Sequence, residues 1–259
     1  MSSERDKMFI DEAKRIIDSA NEKKIVLRVL GAIAFRLHCP KFRHILENIR
    51  HITDIDLVAY GKQMNQVEKY FIDLGYELRP PSFAALAARR RIFYDRDRGI
   101  VVDVFFDKLE MCHVIDFKGR LEVDYPTIPL AEMLLEKLQI VQITEKDVKD
   151  VIILLREHEI GERDDETINA KYIAKIFAKD WGFYYTATTN LKKIKQLLGP
   201  FDALTDEDKK DVESKIDKLL DIIEKEPKSL GWKMRAKIGT KKIWYRKVEE
   251  IEFPEELEH

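Results

Sequence analysis

The chain has 259 residues, which is long enough for two domains of ordinary size. Hydrophobic residues make up 45% and charged residues 36%, a composition that predicts a substantial core and many solvated helix faces. The net charge of −2 argues against a chain that binds polyanions over its whole surface, so any contact with nucleic acid requires a local basic patch.

Cysteine usage and the termini bear on the cellular compartment. Cys39 and Cys112 are far apart and form no CxxC pattern, so we expect neither a disulfide scaffold nor a zinc site, and a cytoplasmic location. The N-terminal residues are charged, and no run of about 18 apolar residues occurs, so we expect no secretory signal and no membrane partner. We expect residues 257–259 to be the remnant of an expression tag.

Residues 1–160 carry the alternating helix and strand signals of an α/β (or α+β) domain. Apolar spacing and turn residues predict, in chain order, a helix over 6–22, a strand over 24–31, a short helix up to Pro40, a helix over 41–49, a strand over 52–60, a helix over 62–75, a hairpin within 89–107 and a strand over 112–117. We therefore expect a mixed sheet flanked by helices.

From Pro129 onward the pattern becomes helical. The predicted helices cover 129–142, 144–159, 167–179, 181–197 and 204–225. Residues 161–167 are polar and acidic without an apolar anchor, which is typical of a linker. The sequence thus predicts a mostly helical C-terminal domain over 167–256, which ends in a β-hairpin over 231–246.

Three aspartates stand in otherwise apolar, β-rich runs. Asp54 and Asp56 are two residues apart, so in a strand their side chains point to the same face. Asp103 is the lone charge within GIVVDVFF, where a carboxylate without a partner would be costly to bury. Carboxylates that converge from neighbouring strands suit hard divalent cations such as Mg²⁺, which take oxygen ligands and bridge to phosphates.

The order of these motifs resembles the DNA polymerase β-like nucleotidyltransferase superfamily. That pattern has a strand, a small-residue turn, a helix, a DxD strand and a later acidic strand, and the chain shows VLGAIAF, DIDLV and VVDVF in that order. RHITDIDL and the segment LLEKLQIVQITEKDVKDVIILL are similar to bacterial nucleotidyltransferases of the AbiEii toxin type. The resemblance covers residues 24–158.

The resemblance implies a role for each matching residue. Asp54 and Asp56 would hold Mg²⁺ or Mn²⁺ and the phosphates of a nucleoside triphosphate. Asp103 would bind a second metal ion and help to deprotonate the attacking hydroxyl. Gly31 and Ala32 would form the turn that approaches the triphosphate, although the family usually has serine or glycine at the second position. That difference removes a hydroxyl donor from the turn.

Other residues of the matching segments have both a functional and a purely structural interpretation. Lys137 and Lys146 match nucleotide-binding positions of the helical segment, but a helix lysine is commonly solvated. Asp147 and Asp150 lie one helical turn apart, and Asp147 also has the spacing of a capping residue after Thr144. Two residues near the DxD run, Arg50 and Thr53, are expected to position the strand or to support the site.

Two basic segments complete the candidates. The arginines at 89–91 would line a phosphate cleft or form a solvated hairpin edge. Residues 228–247 contain eight Lys or Arg and no acidic residue, with aromatic residues between them. Lys233, Arg235, Lys237 and Trp244 are therefore candidates for RNA contact, and the alternation equally suits an edge hairpin packed on a helical domain.

The leading hypothesis is an Mg²⁺-dependent enzyme that moves a nucleoside monophosphate from an NTP to an acceptor hydroxyl. The resemblance admits tRNA, another RNA, a protein or a small hydroxylated molecule as acceptor, and it admits a toxin that pairs with an antitoxin protein. One alternative is a catalytically weak nucleotide-binding module that regulates a partner, suggested by Ala32. Another is an RNA-binding protein built around the C-terminal basic segment.

Overall fold

A computed structural model describes residues 4–42, 51–80, 85, 89–199 and 201–248 of the chain. By their contacts the residues divide into two compact units. The sheet unit comprises Ser2–Ile33, His51–Thr127 and Arg246–His259, and the helical unit comprises Met1, Ala34–Arg50 and Ile128–Tyr245. The sequence prediction instead divides the chain at the 161–167 segment, and that division into folding domains stays a prediction.

The sheet unit is built on a mixed sheet. Its strands within the described ranges are β1 (Leu27–Val29), β2 (Ile55–Ala59), β3 (Glu77–Leu78), β4 (Arg90–Asp95) and β5 (Ile100–Phe106). Their order across the sheet is β1-β2-β5-β4-β3. β2 runs parallel to β5, and the other neighbouring pairs are antiparallel. The predicted mixed sheet is confirmed.

Helices cover this sheet with the apolar faces that the sequence predicts. α1 (Glu4–Glu22) buries the stripe that contains Phe9, Ile16 and Ile17. α3 (Met64–Asp73) follows a short 3₁₀ turn and packs Phe71 on Phe93 of β4, with ring centroids 4.3 Å apart. Beyond β5, β6 (Lys108–Glu110) pairs with β7 (Val114–Asp116).

Helix α2 (Gly31–His38) follows β1 directly. Gly31 has a φ of 67°, in the left-handed region that glycine adopts without steric cost, so the chain can turn sharply from strand into helix. The contact division falls inside this helix, between Ile33 and Ala34. Most of the predicted helix over 41–49 falls on residues 43–50, which lie outside the described residues.

The helical unit confirms the helices predicted after Pro129. Beyond Pro129 the described residues form the helices α4 (Leu130–Leu138), α5 (Glu145–Glu157), α6 (Ala170–Phe177), α7 (Trp181–Leu197), α8 (Asp206–Lys225) and α9 (Leu230–Ile238). Thr144 and Asp147 form a reciprocal capping box at the start of α5. Fully buried apolar residues from these helices, among them Leu155, Phe177 and Leu191, form the core of the unit.

The segment 161–167, predicted as a linker, connects β8 (Glu159–Gly161) to β9 (Thr167–Asn169), and these strands pair in parallel. One prediction for this part of the chain is wrong. The predicted β-hairpin over 231–246 is replaced by α9 and a 3₁₀ turn over Gly239–Lys241.

The physical reason for this error is the capping of α9. The hydroxyl of Ser229 accepts a hydrogen bond from the Trp232 N–H, which satisfies one of the open donors of the first turn. Gly239, at φ 60°, ends the helix. Between these caps the side chains are mostly good helix formers, so local signals outweigh the alternating pattern that suggests a strand.

Candidate active site

The register of the sheet brings the predicted carboxylates to one face. β2 and β5 are parallel neighbours, and Asp56 lies directly opposite Asp103. Directly opposed residues of neighbouring strands project from the same face of a sheet. Asp54 immediately precedes β2, two residues before Asp56. In β2 the neighbours Ile55 and Leu57 are fully buried, whereas Asp56 is partly exposed.

An arginine holds the innermost of these acids. Asp103 is 1% exposed, and Arg90 of the adjacent strand binds its carboxylate in a bidentate manner. Arg90 Nε donates to Oδ1 at 2.7 Å, and Nη2 donates to Oδ2. Bidentate guanidinium–carboxylate pairs combine charge with fixed geometry. Asp103 is therefore a buried carboxylate with a built-in counter-ion.

The pKa shifts show that the groups share one electrostatic environment. Burial, the largest effect, and the charge of Asp54 raise the pKa of Asp103, whereas the hydrogen bonds and charge of Arg90 lower it. The net result is a raised pKa for Asp103. For Arg90, burial lowers the pKa, but the pair with Asp103 and the charges of Asp56 and Asp54 outweigh burial and raise it. The guanidinium thus lies within the field of all three carboxylates.

The sequence did not distinguish Arg90 from its two neighbours. The structure gives each arginine of 89–91 a different acidic partner. Arg89 pairs with Asp107 at 2.8 Å, and Arg91 pairs with Glu68 at 2.6 Å. The alternation of side chains along a strand could have identified Arg90. In the antiparallel hairpin Ile92 is opposite Asp103, and Arg90, two residues before Ile92, projects from the same face.

The turn at Gly31 lies against Asp56. A Cβ built on Gly31 would collide with Oδ2 of Asp56 and stand 3.3 Å from its Cγ. The N–H of Leu30 donates to the carbonyl of Asp56 at 3.0 Å, which fixes the turn beside β2. Ala32 lies in the first turn of α2 and is 8% exposed. The carboxylate of Asp56 is therefore placed at the N-terminal end of α2, where space for a side chain is lacking.

The donor set suits a hard divalent cation at Asp54 and Asp56. Both are partly exposed carboxylates, and Mg²⁺ is bound in many sites by one or two carboxylates together with water and substrate phosphates. Over the described ranges, no group of three or more His, Cys, Asp or Glu side chains is arranged to hold a metal ion. The three-carboxylate metal site, with Asp103 as a ligand, stays a prediction.

In the helical unit, Lys137 is buried among carboxylates. Its Nζ lies 2.9 Å from Asp150 Oδ2 and 3.6 Å from Asp147 Oδ1, and it stands over the ring of Phe35 in α2 at 5.3 Å. Asp147 also serves the capping box, in which its Oδ2 accepts from the backbone N–H of Thr144 at 3.2 Å. Lys137, Asp147 and Asp150 therefore form one charged cluster, in which Lys137 already has acidic partners.

Two of the remaining candidate residues, Lys146 and Thr53, have exposed side chains. Lys146 is exposed on the first turn of α5. Thr53 is exposed, and its hydroxyl donates to Asp54 Oδ1 at 3.1 Å, so it supports the site residue that follows it. Arg50 lies outside the described residues.

Residues of the basic C-terminal segment divide into two groups. Arg235 stands over the ring of Trp181 at 4.5 Å and donates to the Gly239 carbonyl at 2.7 Å. Trp244 donates from Nε1 to the Thr186 hydroxyl at 3.0 Å and packs edge-on against Tyr185. Both side chains therefore hold the end of the helical unit together. Lys233 and Lys237 are exposed, and their contact with nucleic acid stays a prediction.

The helical unit also contains a pocket of about 330 Å³. Its lining is largely apolar and includes Ile143, Val148, Leu197 and Phe201. It contains none of the three aspartates, so it is separate from the carboxylate site.

The chain resembles a protein of known structure. The chain is similar to the solution structure of the antibiotic-resistance factor ANT(2'')-Ia, with 14% sequence identity and a TM-score of 0.42, over 67% of this chain and 95% of that chain. No family model matches the sequence, and no curated protein matches it. A likeness of this degree carries no conclusion about activity. Separately, none of the helices in the described part of the chain is both long and apolar enough to cross a membrane.

Proposed function

We propose that the chain is a metal-dependent nucleotidyltransferase that moves a nucleoside monophosphate from an NTP to an acceptor hydroxyl. The observation that carries this proposal is the face shared by Asp54, Asp56 and Asp103, with the turn of Gly31 packed against Asp56. The resemblance of the motifs to DNA polymerase β-like nucleotidyltransferases supports the same activity.

The proposed reaction is an in-line displacement at the α-phosphorus. The acceptor oxygen forms a bond to that phosphorus, the bond to the bridging oxygen of the β-phosphate breaks, and pyrophosphate leaves. Asp54 and Asp56 would hold the divalent ion, which supplies charge stabilisation to the phosphate oxygens when it is bound. Asp103 takes the proton of the attacking hydroxyl, since a carboxylate in a bidentate pair retains lone pairs for a further hydrogen bond.

The Gly31 turn and α2 contribute to binding of the triphosphate. Backbone N–H groups at a helix N-terminus favour anions, and the absence of a Cβ at Gly31 lets the main chain come close to phosphate. With Ala32 in place of serine or glycine, this contact depends on backbone donors. Lys137 and Lys146 remain proposed nucleotide contacts, and Lys137 would have to share its charge with Asp150 and Asp147.

The proposed acceptor is a hydroxyl of tRNA, another RNA or a protein, and a role as the toxin of a toxin–antitoxin pair fits the same chemistry. Exposed Lys233 and Lys237 of α9 favour a polyanionic acceptor over a cationic one. Mg²⁺ or Mn²⁺ and an NTP are the proposed cofactor and substrate.

The decisive experiment measures transfer of label from each α-³²P-NTP, with Mg²⁺, to total RNA, to protein and to water. We expect label in one acceptor class and its loss in Asp56→Asn. Asp97→Asn, a change of the same kind at an exposed turn between β4 and β5, is the matched control and should remain active. Absence of pyrophosphate release with all four NTPs and all acceptors would refute the proposal.

A second candidate is a nucleotide-binding module without efficient catalysis. Two observations favour it: Ala32 lacks a hydroxyl, and Arg90 engages both oxygens of Asp103. Such a module would gain thermal stability from NTP and Mg²⁺ through mass action, yet release no pyrophosphate. Parallel measurement of melting temperature and turnover therefore separates the two candidates.

A further inference from the structure

We infer that Arg90 is a fixed cation of the carboxylate site, which takes the place of a second divalent ion at Asp103, so that the site binds a single divalent ion through Asp54 and Asp56. This inference rests on the proposed function and specifies its metal requirement. It assigns Arg90 as a positioning residue that acts through Asp103.

The first support is the geometry of the pair. The two donors of the guanidinium edge of Arg90 face the two oxygens of Asp103, so the carboxylate is bound along its whole edge. A divalent ion that used Asp103 would need an oxygen on this edge and would come close to the guanidinium. Two cations at such separation repel each other, and the repulsion is strong next to a buried group such as Asp103.

The second support is the way in which Arg90 is held. Arg90 is opposite Phe105 in the pairing of β4 with β5, and its Cζ lies over the Phe105 ring, 5.1 Å from the ring centroid. The side chain of Arg90 is 16% exposed and that of Asp103 is 2% exposed. A metal ion that displaced the guanidinium from Asp103 would take from Arg90 both its hydrogen bonds to the carboxylate and its place over Phe105. A mostly buried arginine without its counter-ion is strongly unfavourable.

The third support is the balance of charge at the site. The three carboxylates carry three negative charges, and the fields of Asp54 and Asp56 also act on Arg90. One arginine and one divalent ion neutralise three carboxylates, whereas an arginine and two divalent ions would leave an excess of positive charge before the nucleotide binds.

The test is frozen-solution electron paramagnetic resonance of Mn²⁺ bound to the full chain with a non-hydrolysable NTP analogue. Two Mn²⁺ ions about 4 Å apart, as in two-metal sites, give an exchange-coupled spectrum, and a single ion gives an isolated one. We expect an isolated spectrum for the unmodified chain and for Arg90→Lys, which keeps the charge. We expect a coupled pair in Arg90→Gln. Arg91→Gln, whose partner is Glu68, is the matched control and should keep the isolated spectrum.

A second variant keeps the inference falsifiable if Arg90→Gln does not fold. The double variant Arg90→Gln/Asp103→Asn removes the pair without a change in net charge, so it should change Mn²⁺ affinity less than threefold if Asp103 is not a ligand, while Asp56→Asn should weaken it at least tenfold. A coupled pair in the unmodified chain, an isolated spectrum in folded Arg90→Gln, or a tenfold loss of Mn²⁺ affinity in the double variant would overturn the inference and leave nucleotidyl transfer intact. Transfer itself is measured separately with Mg²⁺, so failure of the proposed function would appear in that assay.

Discussion

At the scale of single residues, Gly31 connects backbone conformation to ligand binding. Gly31→Ala would place a methyl group against Asp56 Oδ2 and force a side chain into a left-handed conformation. The conformation alone costs about 1–2 kcal/mol. We therefore expect a lower melting temperature and loss of the stabilisation that NTP and Mg²⁺ provide. Differential scanning fluorimetry with and without the ligands measures both effects.

Gly99→Ala is the control for this prediction. Gly99 has a φ of 62°, similar to Gly31, but a Cβ there would meet nothing within 4 Å. It should lose stability through conformation alone and keep the ligand-induced rise in melting temperature. If Gly31→Ala kept the same ligand-induced rise, the turn would have no part in nucleotide binding.

The sequence pointed out the three aspartates of the site, but it did not point out the arginine that pairs with one of them. Spacing put Asp54 and Asp56 on one face, and the isolation of Asp103 in an apolar strand marked it as unusual. Arg90 carries no such mark of its own, because the three consecutive arginines are alike in sequence, and the register of the β4–β5 hairpin decides which of them meets Asp103. That register, which the composition of one strand does not fix, determined the part that was missed.

At the scale of elements, α9 shows how capping decides between helix and strand. Trp232, Met234, Ala236 and Ile238 alternate with polar residues, which favours a strand, yet the segment is helical. The Ser229 cap and the Trp232 Nε1 hydrogen bond to the Phe177 carbonyl at 2.8 Å hold the first turn. The helices after Pro129 were predictable because their apolar period and caps agree, whereas in this segment the two signals conflict.

The cap of α9 gives the second prediction. Ser229→Ala removes the acceptor for the Trp232 N–H, and loss of such a cap typically costs about 1 kcal/mol. Hydrogen exchange of the amides over 230–238 should accelerate about fivefold, since a free energy of that size corresponds to such a factor in local opening. Ser229→Asp, which retains an acceptor, should exchange at the original rate. Unchanged protection in Ser229→Ala would show that the cap does not limit opening of α9.

At the scale of the whole molecule, a buried ion cluster ties α1 to the sheet. Glu12 is 6% exposed and binds Arg15 at 2.6 Å, Arg98 at 2.9 Å and the hydroxyl of Tyr76 at 2.6 Å. Burial alone would raise the pKa of Glu12, but the hydrogen bonds from Arg15, Arg98 and Tyr76 outweigh burial and lower the pKa from 4.5 to about 2. The cluster therefore favours the ionised carboxylate in the folded chain.

This shift sets the direction of the pH dependence. Because the folded pKa lies below the unfolded one, the contribution of Glu12 is complete above pH 4.5 and is lost as the pH falls toward about 2. The interval between these pKa values corresponds to a contribution of about 3 kcal/mol. We expect Glu12→Gln to be less stable than the unmodified chain at pH 7 by an amount of this order, and the difference to shrink steadily below pH 4.5.

Urea unfolding at pH 7, 4 and 3, followed by circular dichroism, measures the effect. Asp11→Asn, an exposed neighbour on α1, is the control and should follow the unmodified chain at every pH. If Glu12→Gln and the unmodified chain differed by the same amount at pH 7 and at pH 3, the loss would come from packing rather than from ionisation. In that case the contacts of Glu12 with Arg15 and Arg98 would not stabilise the fold through charge.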